Sequence, residues 1–131
     1  MNMKRFITCV LIVSTIFFIF PIMVYGLFMR FFQLVPPTGF GAMDLLILIP
    51  STLLGGFVFV LIFFLAQGSK LGQNGLLYGL LWLLGFSVVS EVGFWVVFQY
   101  SPIMMAAGIA SGLCHLINGV IVERLGRPTA K

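Results

Sequence analysis

Four side chains in the second half of the chain have the types and spacing for chemistry inside a membrane: Ser87, Glu91, Ser111 and His115. Ser87 and Glu91 are one helical turn apart, as are Ser111 and His115, so each pair shares a helix face. Between the pairs lies Gln99-Tyr100-Ser101-Pro102, a link so short that the flanking helices must be antiparallel neighbours. Folding the sequence back about Tyr100-Ser101 sets Ser87 level with His115 and Glu91 level with Ser111. Two matched polar layers result, and Asn118, one turn beyond His115, extends the seam. Such groups either hydrogen-bond one another and fix the packing of two helices, or pass protons or hold a cation. With no second acid beside Glu91, the residues do not choose between these roles.

Little else in the chain is reactive. Its acids are Asp44, Glu91 and Glu123, and its one histidine is His115. These cannot supply a credible metal centre or a set of nucleophile, base and orienting group. Cys9 and Cys114 lie in apolar runs at different depths and read as small core residues, not as a disulfide or as metal ligands. The polar stretch 67–75 contains glycines and a lysine but lacks the Gly-x-x-x-x-Gly-Lys-Ser/Thr order of a phosphate-binding loop. No catalytic residue, cofactor or metal is expected, and the chain does not read as an enzyme.

The elements that position these residues follow from composition. Of 131 residues, 61% are hydrophobic and 8% charged, and the mean hydropathy is +1.20. A soluble domain carries about a quarter charged residues, so lipid must be the solvent for most of these side chains. The apolar runs are continuous rather than alternating, which selects helices over a membrane barrel. The expected fold is all-α: a single domain of four transmembrane helices at 6–28, 43–66, 76–98 and 103–122, followed by an exposed, mobile basic tail, 123–131. The first run is about twice the length of a signal-peptide core and no small-residue cleavage site follows it, so it reads as a retained helix. Pro21 and Pro50 should bend the first and second helices. Residues 30–42, with Pro36-Pro37, read as a surface loop, the other reading being a re-entrant segment. Asp44 suits the positive end of the second helix dipole. Arg30 and Asp44 lie near one membrane surface and would offer Glu91 charge partners if the bundle folds them over it.

The fourth helix carries a stripe of small residues. Gly108, Ser111, Gly112, His115 and Gly119 recur at helical spacing, with Ala106, Ala107 and Ala110 beside them. Small residues let helix backbones approach closely in a membrane, so Gly108, Gly112 and Gly119 are the expected packing positions. In the third helix Gly79 and Gly93 are the small residues. Trp95 and Tyr100 suit an interfacial aromatic belt.

An even number of helices puts both termini on one side. That side holds Lys4, Arg5, Lys70, Arg124, Arg127 and Lys131, and the other holds Arg30 alone. The positive-inside rule then places both termini in the cytoplasm, with a bacterial inner (plasma) membrane as the expected location. The net charge of +4 reflects this topology. No basic stripe with interleaved aromatics points to nucleic acid. The expected partners are the bilayer and either further copies of the chain or another membrane protein. The function expected is that of an interaction protein: an accessory subunit, an assembly factor or an immunity-type protein. The alternative is a small oligomeric transporter or channel subunit with Glu91 and His115 in a proton or cation path.

Overall fold

Apolar runs of this length fold as helices because lipid offers the backbone no hydrogen-bonding partner. A computed structural model describes residues 2–32, 42–98 and 101–127, without the side chains of 42–45, 94, 95 and 98. The described residues are helical: α1 (Met3–Phe31), α2 (Ala42–Leu65), α3 (Gly75–Trp82), a π-helical segment (Leu83–Val88), α4 (Val89–Phe98), α5 (Pro102–Ser111) and α6 (Cys114–Gly126). The run from α3 to α4 is one span and α5 with α6 is another. Four spans are therefore long and apolar enough to cross a membrane, and the expected all-α bundle of four membrane helices is the architecture found.

Side chains set where three helices begin. The Asn2 side chain accepts from Lys4 N–H and Arg5 N–H at 3.1 and 3.4 Å, which starts α1 earlier than the expected residue 6. Asn74 accepts from Leu77 N–H at 2.9 Å and opens α3. Ser101 accepts from Ile103 N–H at 3.3 Å ahead of Pro102, whose fixed φ and missing N–H suit a first helical turn. With 29 residues α1 is about 44 Å long, more than the ~30 Å of a hydrocarbon core, so it tilts or projects. Pro21 and Pro50 sit inside α1 and α2 without ending them.

Two differences from the expected helices matter. The third helix is not uniform, because a π segment interrupts it. The fourth is broken at Gly112-Leu113 and runs on to Gly126, so Glu123 to Gly126 form the last turn of α6 and not the start of a mobile tail. Residues 33–41 of the expected surface loop, Gln99-Tyr100 of the expected link, the Trp95 and Tyr100 side chains and residues 128–131 lie outside what is described.

α1 is the hub, packed on α2, α5 and α6, while α3 packs on α6. The core sits toward the end of the bundle where the termini meet. Phe6, Cys9, Val13, Phe59, Val60, Phe63, Tyr78 and Val122 form it. Phe59 lies 4.8 Å from Tyr78 and 5.6 Å from Phe17 between ring centroids, edge-on, an arrangement that the aromatic quadrupole favours. The buried Tyr78 hydroxyl donates to the Phe59 carbonyl at 2.5 Å.

Polar staples close the same end. The Glu123 carboxylate accepts the Gly75 N–H at 2.6 Å and pairs with Arg127 at 2.8 Å. Arg127 also donates to the Gln73 carbonyl. Arg5 donates to the Arg127 carbonyl at 2.8 Å, and Gln67 to the Gly126 carbonyl at 3.3 Å. A carboxylate on the first N–H of α3 satisfies a donor that the helix itself cannot.

Candidate functional site: a polar-walled cavity between the spans

The glycine stripe determines how the third and fourth spans meet. A Cβ on Gly75 would overlap the Gly119 carbonyl, and one on Gly119 would overlap the Gly75 carbonyl. Gly79 meets the His115 carbonyl in the same way. Here backbone touches backbone. Further along, Gly112 faces the Ser87 side chain and Leu83, and Gly108 faces the Glu91 carboxyl. All three expected packing glycines, Gly108, Gly112 and Gly119, thus face the third span. Gly79, in the third span, faces the fourth, but Gly93 has open space around it.

Both irregular turns fall at this contact. In the fourth span the Gly112 N–H donates to the Gly108 and Ile109 carbonyls, Leu113 to Ala110, His115 to Gly112 and Leu116 to Leu113. Three-residue closures of this kind overwind a helix, whereas the facing π segment, Leu83–Val88, underwinds the third span. An overwound turn advances more per residue than a regular one, at about 2.0 Å against 1.5 Å. From the Gly75–Gly119 contact to the Glu91–Gly108 contact the third span uses 16 residues (75 to 91) and the fourth 11 (108 to 119). The two irregularities shift the register in that direction.

The slip lies between the Gly79–His115 contact and the Ser87–Gly112 contact; at Ser87 and Glu91 the register is the same, with Gly112 and Gly108 opposite them. Ser87 Oγ lies 3.3 Å from His115 Nδ1, so the expected side-chain pair meets, although the backbone opposite Ser87 is that of Gly112 and not of His115. Glu91 is not opposite Ser111. Its carboxyl rests on Gly108, within electrostatic reach of Tyr25 on α1. The Ser111 hydroxyl donates back to the Gly108 carbonyl at 2.7 Å. Asn118 does not extend the seam; it is fully buried toward the terminal end, and neither amide atom has a partner among the described residues. Arg30 is exposed in the last turn of α1. Asp44 falls in the first turn of α2, its side chain outside the description.

His115 Nδ1 is 2.8 Å from the Gly112 carbonyl oxygen. A carbonyl only accepts, so this contact assigns the proton to Nδ1 and leaves Nε2 of the neutral ring as an acceptor. The ring stacks on Trp82, 6° from parallel at 6.1 Å, with Phe17 at 5.0 Å.

These residues line a cavity of about 520 Å³. α1 contributes Phe17 and Pro21, and α2 contributes Ser51, Thr52, Gly55 and Val58. Trp82, Phe86, Ser87, Ser90 and Glu91 come from the third span, and Gly108, Ser111, Gly112, Cys114 and His115 from the fourth. α2 packs chiefly on α1, and the cavity lies between these helices and the third and fourth spans. Four of its hydroxyls donate into their own helices: Ser51 to Leu48 at 2.9 Å, Thr52 to Ile49 at 2.9 Å, Ser90 to Ser87 at 3.1 Å and Ser111 to Gly108. The α2 wall is absent from the sequence expectation, although Ser51-Thr52, directly after Pro50, are the hydroxyl residues of an otherwise apolar helix. Among the described residues no three His, Cys, Asp or Glu side chains come together as metal ligands.

No protein-family model matches this chain, and no curated protein or solved structure is detectably similar to it.

Proposed function

We propose that this chain is a membrane interaction protein, of accessory or immunity type, that takes a group of another membrane molecule into the cavity between its second and third spans. The observation that carries this reading is the shape of the polar region. It lines one cavity and is not a file across the bundle. Toward the termini Phe59, Phe63, Tyr78 and Val122 fill the core, and the buried Ser14 and Asn118 there do not line the cavity. A side pocket with a few polar groups in an apolar wall is the form of a binding site. In the membrane, both termini face the cytoplasm of a bacterial cell, as the distribution of basic residues supports, and the cavity then belongs to the outer half.

A photo-crosslinking amino acid at position 51 should form discrete adducts with a membrane component in intact cells, while one at the lipid-facing Leu65 should give only diffuse labelling. Identical patterns from both positions would defeat the proposal. Topology is testable in a background lacking Cys9 and Cys114. A cysteine at position 38 should react with an impermeant thiol reagent from outside, and one at position 69 should not.

The second reading, a transporter or channel subunit, draws on the shared placement of Glu91 and His115 in one cavity. It requires Glu91→Gln to fold normally and abolish a proton or cation flux in reconstituted vesicles. A flux that the Gln variant leaves intact would remove that reading.

A further inference from the structure

The end of the bundle where the termini meet holds more basic charge than its own contacts use. Its one acidic side chain among the described residues, Glu123, caps the Gly75 N–H and pairs with Arg127. Arg127 also donates to the Gln73 carbonyl, and Arg5 to the Arg127 carbonyl. Lys4, Lys70 and Arg124 are exposed, and their side chains take part in no ion pair or hydrogen bond among the described residues. We infer that Lys4 and Arg124 form a binding surface for the headgroup of an anionic phospholipid.

The two cations head faces that lipid covers. Lys4 shares one face of α1 with Leu11, Thr15 and Ile22, all exposed, and Arg124 shares one face of α6 with the exposed Ile117. In membrane helices these outward faces lie against lipid, so each cation stands where such a face ends. They are also neighbours. α1 and α6 run antiparallel, and their contacts at Arg5–Arg127 and Phe17–His115 have one register. It sets Arg124 level with Thr8, one turn or about 6 Å along the axis from Lys4. Long basic side chains converge on one phosphate group from such a separation.

The surroundings select the partner. Met3, Ile7 and Leu125, beside the two cations, are exposed apolar residues, so the partner brings hydrocarbon and negative charge together. A phospholipid does both, whereas a soluble acidic peptide matches the charge alone. A zwitterionic headgroup would set its own ammonium against Lys4 and Arg124, and a net negative one does not. Lys70 has the same charge in a different setting. It lies in the turn between α2 and α3 with the exposed Gly68 and Ser69, and no apolar helix face leads up to it. It faces water and does not seat the headgroup.

Native mass spectrometry of the full chain, released from mild detergent, tests this. Phosphatidylglycerol and phosphatidylcholine with the same acyl chains are titrated in, and the population carrying one lipid is read. Phosphatidylglycerol should reach half occupancy at a concentration at least about tenfold below phosphatidylcholine, the scale of two basic side chains at an anionic surface. Lys4→Gln and Arg124→Gln should each cut that preference about fivefold. Lys70→Gln removes the same charge from the water-facing turn and should cut it less than about twofold. Raising the ammonium acetate concentration of the solution about tenfold should narrow the preference through screening, a reading that needs no variant.

Equal occupancy by the two lipids would overturn the inference. So would a preference that ignores salt, or one that Lys4→Gln and Arg124→Gln leave intact. Equal losses in all three Gln variants would show that net charge alone attracts the lipid and that Lys4 and Arg124 form no surface of their own. The cavity reading stands or falls separately, since none of these three side chains lines the cavity.

Discussion

The two ends of this bundle use the same residues for different purposes. Toward the termini, glycines bring backbones into contact, and Gly75, Gly79 and Gly119 admit no side chain between α3 and α6. Aromatic rings fill what remains, and Glu123, Arg127, Arg5 and Gln67 tie the helix ends together. Beyond His115 the same stripe continues in Gly112 and Gly108, but these face the side chains of Ser87 and Glu91. There α2 stands away from α4, and a cavity takes the place of a core. A glycine stripe by itself therefore does not say how tightly two helices pack. What it faces decides, and the changeover coincides with an underwound turn opposite an overwound one. Irregular turns of this kind recur at functional sites.

The sharpest way to break this contrast is to make one substitution at both ends. Gly119→Ala drives a methyl into the Gly75 backbone, which cannot give way locally. Unfolding in mild detergent should show a loss of about 2–3 kcal/mol, the upper range for overpacking. Gly108→Ala meets the end of the Glu91 side chain, which can swing into the cavity. Its loss should stay below about 1 kcal/mol. Equal losses would mean that the two ends are packed alike.

Next in size is the polar staple. Glu123→Ala leaves the Gly75 N–H without its carboxylate and Arg127 without its ion-pair partner. A loss of about 1–2 kcal/mol is expected from a charged helix cap, read from the denaturation midpoint. A change within about ±0.5 kcal/mol would show that the core alone holds this end.

Asn118, like Ser14, departs from the apolar packing of the terminal half, since its amide is buried and unpaired among the described residues. Asn118→Leu keeps the size and removes two unmet polar atoms, so stability should rise by about 1 kcal/mol. A fall of that size would show that the amide holds a partner that leucine cannot replace.

The smallest effect belongs to the cavity wall. A Cβ at Gly55 would meet only Phe17, at an ordinary 4.0 Å. Gly55→Ala should be neutral or stabilise by up to about 0.5–1 kcal/mol through helix propensity. A clear destabilisation would mean that α2 closes against its neighbours more tightly than the open cavity implies.

Some of this was legible from residues alone. The continuous apolar runs require four helical spans, because lipid cannot satisfy a bare backbone. The short Gln99–Pro102 link requires an antiparallel hairpin, and mirror counting paired Ser87 with His115, whose side chains lie 3.3 Å apart. The periodicity of Gly108, Gly112 and Gly119 fixed which face the fourth span turns to the third, because side-chain direction follows helical repeat. Mirror counting missed the backbone register at both residues, since Gly112 faces Ser87 and Gly108 faces Glu91; counting does not give the offset at which two helices leave a link. Farther from the link the π segment and the tightened turn at Gly112 shift the register again, to Gly79 opposite His115, and neither leaves a pattern in residue types. The cavity was beyond reach for a different reason. Its opposite wall, Ser51 and Thr52, belongs to a helix distant in sequence, and the angle at which α2 leans on α1 is set by packing around Gly56, Ser14 and Phe59. Periodicity fixes directions within one helix. The spacing between helices is a balance of contacts over the whole bundle, which only the tertiary structure resolves.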